Sequence, residues 1–183
     1  MKLINQIFAI NDISIIQMKE SDLDTYYKLG FENLDKEVMY YTGIRDKPTK
    51  DEVTKYFNKI IPMEDRYDFF IMQNNVPIGE IVISNIDNDN SKCSMRLAIF
   101  KNNDFNKGYG STAIILVQVF VFDVIGMNRI ELEVFSYNER GINTYIKTGF
   151  KEEGRLREAK TVENKYTDIV IMGMLKREYD IRK

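Results

Sequence analysis

Apolar residues recur along this chain with two periods, and each switch between them marks a new element. ISIIQMK (13–19) reads as a strand, and ESDLDTYYKL (20–29) then turns to helical spacing, with Ser21 as the expected N-cap and Asp24 three residues on. TKDEVTKYFNKII (49–61) repeats that pattern: Thr49 caps, and Val53, Tyr56, Phe57 and Ile60 share one face. A meander follows. YDFFIMQ (67–73) is closed by the turn NNVP (74–77), IGEIVIS (78–84) by the polar turn 85–91, and KCSMRLAIF (92–100) returns.

STAIILVQVFVFDVIG (111–126) is ambiguous by period, since only Gln118 and Asp123 interrupt the apolar run from 113 to 125. Its length and the closing Gly126 assign it to a buried helix. RIELEVF (129–135) alternates as a strand with Ile130, Leu132 and Val134 on one face. NERGINTYIKTGF (138–150) is a helix ended by Gly149, and KEEGRLREAK (151–160) and YTDIVIMGML (166–175) are two further strands. The order βααβββαβαββ predicts an α+β fold, a mixed and mostly antiparallel sheet flanked by about four helices. Without a repeat, low-complexity tract or Pro/Gly/Ser-rich linker, residues 1–183 read as a single domain.

Composition narrows the partners. The 44% hydrophobic and 30% charged content is that of an ordinary soluble protein, and a net charge of −2 gives no field that draws nucleic acid or an anionic membrane. No apolar run reaches the roughly 18 residues of a spanning helix. The N-terminal MKLINQIFAIND lacks the pattern of a secretory signal, so a cytoplasmic protein is expected. The single cysteine, Cys93, has no intramolecular disulfide partner and is expected as a reduced thiol on a strand. The absence of histidine excludes His-dependent triads and His-ligated metal, and no metal site is expected.

The candidate chemistry begins at NKGYGST (106–112), where two glycines stand between a strand and a helix. Such a loop either cradles an anion on backbone N–H groups at a helix N-terminus or is a tight turn. It is not a P-loop, because Lys107 precedes the first glycine and no Gly-Lys pair follows. Nor is it a dinucleotide fingerprint, because the preceding elements form a meander and not a βαβ unit. Further on, Asn138 precedes a helix that carries Tyr145 two turns along roughly the same face. At that spacing a tyrosine is either a core residue or a reactive one.

Loop, helix, alternating strand and then N-x-x-G-I-x-x-Y-x-x-x-G-F together resemble the GNAT N-acetyltransferase superfamily. The run RIELEVFSYN … TGFKEEGRLREA … YTDIVIMGML resembles its ribosomal-protein-alanine and spermidine acetyltransferase branch. The resemblance spans nearly the whole chain and is most specific from 78 to 175, with the acetyl-CoA core at 92–150 and the acceptor side in the helical region 20–61. It implies acetyl-CoA as cosubstrate, with Lys107, Gly108, Tyr109, Gly110, Ser111 and Thr112 around the pyrophosphate. It also implies that Ile99 and Phe100 pair by backbone with the pantetheine arm, that Asn138 hydrogen-bonds the cofactor, and that Tyr145 protonates the departing thiolate. The chain departs from the family pattern at Phe105, where Gln or Arg is usual, at Asn106, commonly glycine, and at Gly141, usually alanine. Homodimers are a further family-level expectation.

Acetyl transfer needs a neutral amine, a polarised thioester carbonyl and a proton for the thiolate. A backbone N–H near the end of strand 92–100 can polarise the carbonyl. With no histidine, a carboxylate is the remaining ordinary base, and Glu80 is the candidate: a hairpin folding about residue 89 sets it opposite Ala98. As a strand residue Glu80 could equally face solvent. The acceptor is expected to be a protein N-terminus or a small molecule such as a polyamine, amino sugar or antibiotic. A CoA-binding module without catalysis is the non-enzymatic alternative. The charges in FENLDKEVMYYTGIRDKPTKDE are mixed and choose no substrate.

Overall fold

A computed structural model describes residues 7–182. Eight strands form one sheet in the order β1-β2-β3-β4-β5-β6-β8-β7, antiparallel throughout except between β5 and β6. The strands are β1 (Phe8–Ile10), β2 (Ile13–Gln17), β3 (Tyr67–Gln73), β4 (Val76–Asp87), β5 (Lys92–Ile99), β6 (Arg129–Phe135), β7 (Lys151–Val162) and β8 (Lys165–Leu175). The helices are α1 (Leu23–Gly30), α2 (Lys36–Thr42), α3 (Lys50–Ile60), α4 (Tyr109–Val119), α5 (Glu139–Lys147) and α6 (Lys176–Arg182).

Strand alternation divides the core between the two faces of the sheet. Ile81, Ile83, Met95 and Ile99 pack with α4 and with Tyr145 of α5. On the other face Phe70, Met72 and Phe100 meet Tyr26 of α1 and Val53, Phe57 and Ile60 of α3. The two polar interruptions of the long apolar helix are both used. Gln118 Nε2 donates to the Thr148 carbonyl at 2.8 Å, and Asp123 accepts from the Tyr179 hydroxyl at 2.7 Å, tying α4 to the end of α5 and to α6.

The strand order of the meander follows the periodic reading, but β4 runs into both expected turns, Val76–Asp87 in place of 78–84, and several helix ends also differ. Ser21 is not the cap: Asp22 accepts the Lys19 N–H at 2.8 Å, and a 3₁₀ turn over Glu20–Asp22 precedes α1. Thr49 does cap α3, in a reciprocal box with Glu52. Tyr56, expected on the buried face, is 40% exposed, and its hydroxyl accepts from Arg66 at 3.0 Å. The helix expected over 111–126 begins earlier, at Tyr109, and its last turn widens to a π-turn over Phe120–Val124, closed by the Ile125 N–H on the Phe120 carbonyl. Strand β1 and helices α2 and α6 are additional to the expected set, making six helices among the described residues.

Cys93 lies on β5 at 1% exposure, and burial pushes its thiol up to about 12. Its thiolate is scarce at neutral pH, so a thiol reagent should titrate Cys93 only after unfolding. Fast labelling of the native protein would show that this part of β5 opens.

Candidate active site

Strands β5 and β6 pair only at Lys92–Ser94 against Arg129–Glu131. Beyond those residues they part, because β5 stays with β4 while β6 continues on β8 as far as Phe135. The fork is a gap of about 220 Å³ bordered by Arg96, Leu97 and Ala98 on one side and Glu133, Val134 and Phe135 on the other. Helix α2 lies at its mouth, where the Tyr137 hydroxyl donates to the Tyr40 carbonyl at 2.7 Å.

The fork leaves backbone groups of β5 without a neighbouring strand. The Phe100 N–H donates to the Ile78 carbonyl at 2.9 Å, which commits that amide to β4. Alternation then aims the Ala98 amide, opposite Glu80, at β4 as well, and leaves those of Leu97 and Ile99 facing the fork. The ring of Phe100 is buried on the face of the sheet that α1 and α3 cover. Of the pair expected to meet the pantetheine arm, Ile99 has its amide toward the fork, and Phe100 has its amide on β4. Leu97, which the sequence reading missed, borders both the fork and the larger cavity beside it.

A cavity of about 570 Å³ runs from the fork to the start of α4. Gly108, Tyr109, Gly110 and Ser111 line it, with Ile99, Asn138 and Tyr145. The first intrahelical bond of α4 is from the Thr112 N–H to the Gly108 carbonyl at 3.0 Å, so the N–H groups of Tyr109, Gly110 and Ser111 have no partner within the helix. Gly108, the N-cap at φ +83°, has no side chain to cap them. These amides and the helix dipole together make a site for an anion. Thr112 has spent its amide within the helix and does not line the cavity. Lys107 Nζ pairs with Asp104 at 2.9 Å, which offsets a carboxylate that borders the same cavity.

The three departures from the family pattern have local explanations. Asn106 sits at φ +60°, a left-handed conformation that asparagine tolerates better than most residues. Asn138 Oδ1 accepts the Gly141 N–H at 2.9 Å as the cap of α5, and a Cβ on Gly141 would lie 2.7 Å from Asn138 Nδ2. Glycine at 141 thus lets the asparagine fold over the helix start, with its amide nitrogen left for a ligand. Phe105 carries no charge, but the Arg140 guanidinium lies 3.7 Å from the centre of its ring and 4.4 Å from that of Tyr41, with Glu37 Oε1 at 3.3 Å. Arg140 borders the cavity. The sequence signal for it was its position two residues after Asn138.

Tyr145 is buried at 9% exposure and borders both the cavity and the fork. Burial pushes its phenol up to about 12, which keeps the proton on the oxygen. Such a group donates a hydrogen bond readily and gives the proton away reluctantly.

A second cavity, about 510 Å³, opens on the opposite face between α1, α2, α3 and the sheet. Glu80 is at its floor, opposite Ala98 in the ladder as hairpin counting expected, and is 4% exposed instead of facing solvent. Its Oε1 accepts from Arg96 Nη1 at 2.6 Å. Its Oε2 is buried with no hydrogen-bond partner among the described residues. The neighbouring Tyr26 phenol is raised far above its ordinary range, by burial first and by the Glu80 charge second. Val38, Thr42 and Ala98 border both cavities, so the two meet at the fork.

The chain matches the family model of the acetyltransferase (GNAT) domain over residues 12–151. It is 25% identical to the uncharacterized N-acetyltransferase p20 of Bacillus licheniformis, over 85% of this chain and 94% of that one. It is 28% identical to the prophage-derived uncharacterized N-acetyltransferase YokL of Bacillus subtilis, over 64% and 67%. Among solved structures it superposes on the spermidine N-acetyltransferase of Vibrio cholerae in complex with CoA and spermine. The TM-score is 0.82 at 22% identity, covering 93% of this chain and 99% of that one. The forked sheet with a glycine-capped helix at its mouth thus has its explanation in descent: the chain belongs to the GNAT acetyltransferase family and is an acetyl-CoA-dependent N-acetyltransferase.

Proposed function

We propose that acetyl-CoA enters along the α4 face, that the acceptor amine enters from the Glu80 cavity, and that they react at the fork beside Ala98. The observation that carries this reading is the meeting of two cavities at Val38, Thr42 and Ala98, one walled by free helix amides and the other floored by an unpartnered carboxylate oxygen.

The pyrophosphate rests on the N–H groups of Tyr109, Gly110 and Ser111, and Arg140 supplies the positive charge that Phe105 does not. The outward backbone of Leu97 and Ile99 holds the pantetheine arm as an added strand would, Asn138 Nδ2 donates to it, and a β5 amide at the fork polarises the thioester carbonyl. An ammonium acceptor loses one proton to Glu80 Oε2, which passes it to solvent along the exposed Arg96 side. The neutral nitrogen attacks the carbonyl carbon, the N–C bond forms, and the C–S bond breaks. A second proton leaves the nitrogen as the amide forms, and one proton is taken up by the CoA thiolate, so the sum is amide, thiol and one proton released.

The thiolate has an ordinary pKa near 8.5, against about 12 for Tyr145. Full transfer from the phenol is uphill by about 5 kcal/mol, so Tyr145 acts as a hydrogen-bond donor that steadies the leaving sulfur. A charge-assisted bond of ~1.5–3 kcal/mol corresponds to a roughly 10- to 100-fold loss of kcat in Tyr145→Phe. Acetyl-CoA affinity should stay within about threefold, since the ground-state thioester gains little from that bond. Single-turnover thiol release and calorimetry separate the two, and an unchanged kcat would remove Tyr145 from the mechanism.

A further inference from the structure

Resting on the assignment of the Glu80 cavity to the acceptor, we propose that the acceptor is a small primary amine on an apolar or aromatic body, carrying one positive charge and not several. The chemistry of the cavity lining sets this class. Its walls are built from aromatic and aliphatic side chains, among them Tyr26, Phe31, Leu34, Val53 and Phe100. Glu80 is the buried charge among the described lining residues, and Arg96 already occupies one of its oxygens. What remains for a ligand is a single carboxylate oxygen, Oε2.

The other charges sit at the exposed rim, where Lys47 offsets one of the two carboxylates, Asp46 and Glu52. Glu52 is further committed, with Oε2 accepting the Thr49 N–H and hydroxyl, each at 2.8 Å. One ammonium can therefore be met at the floor, while the second and third of a polyamine would meet either hydrocarbon or rim carboxylates screened by water. Apolar walls also favour the neutral, nucleophilic form of a lone amine. The cavity, about 510 Å³, has the size of a small-molecule site. The Vibrio cholerae structure that shares this fold holds spermine. The inference is that the same fold is here relined for a different amine.

The test is thiol release from acetyl-CoA with the full chain across phenethylamine, tryptamine, isopentylamine, spermidine, kanamycin and a short peptide with a free N-terminus. The arylalkyl or branched-alkyl amines should exceed spermidine in kcat/KM by roughly tenfold or more, a factor of the size one unpaired charge sets. Leu34→Glu, in the loop between α1 and α2, adds a carboxylate to the wall and should move that ratio toward spermidine by roughly tenfold. Acetyl-CoA binding by the variant verifies that it has folded. Preference for spermidine, kanamycin or the peptide in the unaltered protein overturns the inference, as does thiol release with none of the amines. Failure to bind acetyl-CoA at all is a separate result, and it sinks the underlying assignment of the two cavities instead.

Discussion

Gly110→Val is expected to cut acetyl-CoA affinity by roughly a hundredfold or more while leaving the protein as stable as before or slightly more so. The opposed signs follow from what this glycine does not do. It is in the first turn of α4, its φ is not positive, and a Cβ there would touch only the Leu97 side chain, at 3.6 Å. Neither conformation nor packing asks for glycine, and a helical position would favour any β-carbon over none by up to ~1 kcal/mol. What a side chain takes away is the approach of an anion to the amides of residues 109 to 111. Losing two charge-assisted contacts of ~1.5–3 kcal/mol each amounts to about two or more powers of ten in affinity. Calorimetric titration with acetyl-CoA and a thermal melt of the free protein read the two effects separately. Intact affinity would mean that the pyrophosphate does not lie on this turn, and a large loss of stability would mean that Gly110 is a packing residue after all.

Gly108 makes an instructive contrast. Its φ of +83° supplies a backbone reason for glycine, so a substitution there mixes strain with obstruction. The sequence shows both glycines alike. Their separate roles appear only when the helix start is fixed at Tyr109, two residues before the periodic pattern begins.

The legible parts of this molecule were those governed by near neighbours in the chain. Strand β3 has the bounds its apolar run and closing turn predict, β6 those its alternation predicts, and hairpin counting put Glu80 opposite Ala98. Helix α2 was legible and overlooked: Asp35 caps it by accepting the Glu37 N–H at 2.8 Å, and Gly43 ends it at φ +74°. At seven residues it is too short to hold on its own and shows little periodicity, so its existence depends on packing over the fork. The fork itself left no trace in the pattern, because the apolar alternation of β5 is the same where it pairs with β6 and where it does not. Burial of Glu80 was equally hidden. It depends on Tyr26 from α1 and on Arg96 from the neighbouring strand, contacts that no local period encodes.

Glu80 is also where the chemistry can be tested most sharply. Glu80→Gln keeps the shape of the side chain and removes the proposed base, so kcat/KM should fall by roughly 10²–10⁴, the range ordinary for general-base catalysis. The fold should tolerate the change, because the carboxylate is buried with one oxygen unmet, and Arg96 is exposed enough to take water in its place. A loss of activity alone would not separate a base from a prop for Arg96, and pH does. An alkylamine with a pKa near 10 is neutral in about one molecule per thousand at pH 7, and that fraction rises roughly tenfold with each pH unit. If Glu80 removes the amine proton, the variant regains activity along that slope, and its deficit against the parent narrows steadily between about pH 7 and 9. If Glu80 only holds Arg96 and the floor of the cavity, the deficit is the same at every pH, because geometry does not titrate. The ratio of the two pH–rate profiles therefore decides between a proton acceptor and a positioning residue for any alkylamine substrate of that pKa.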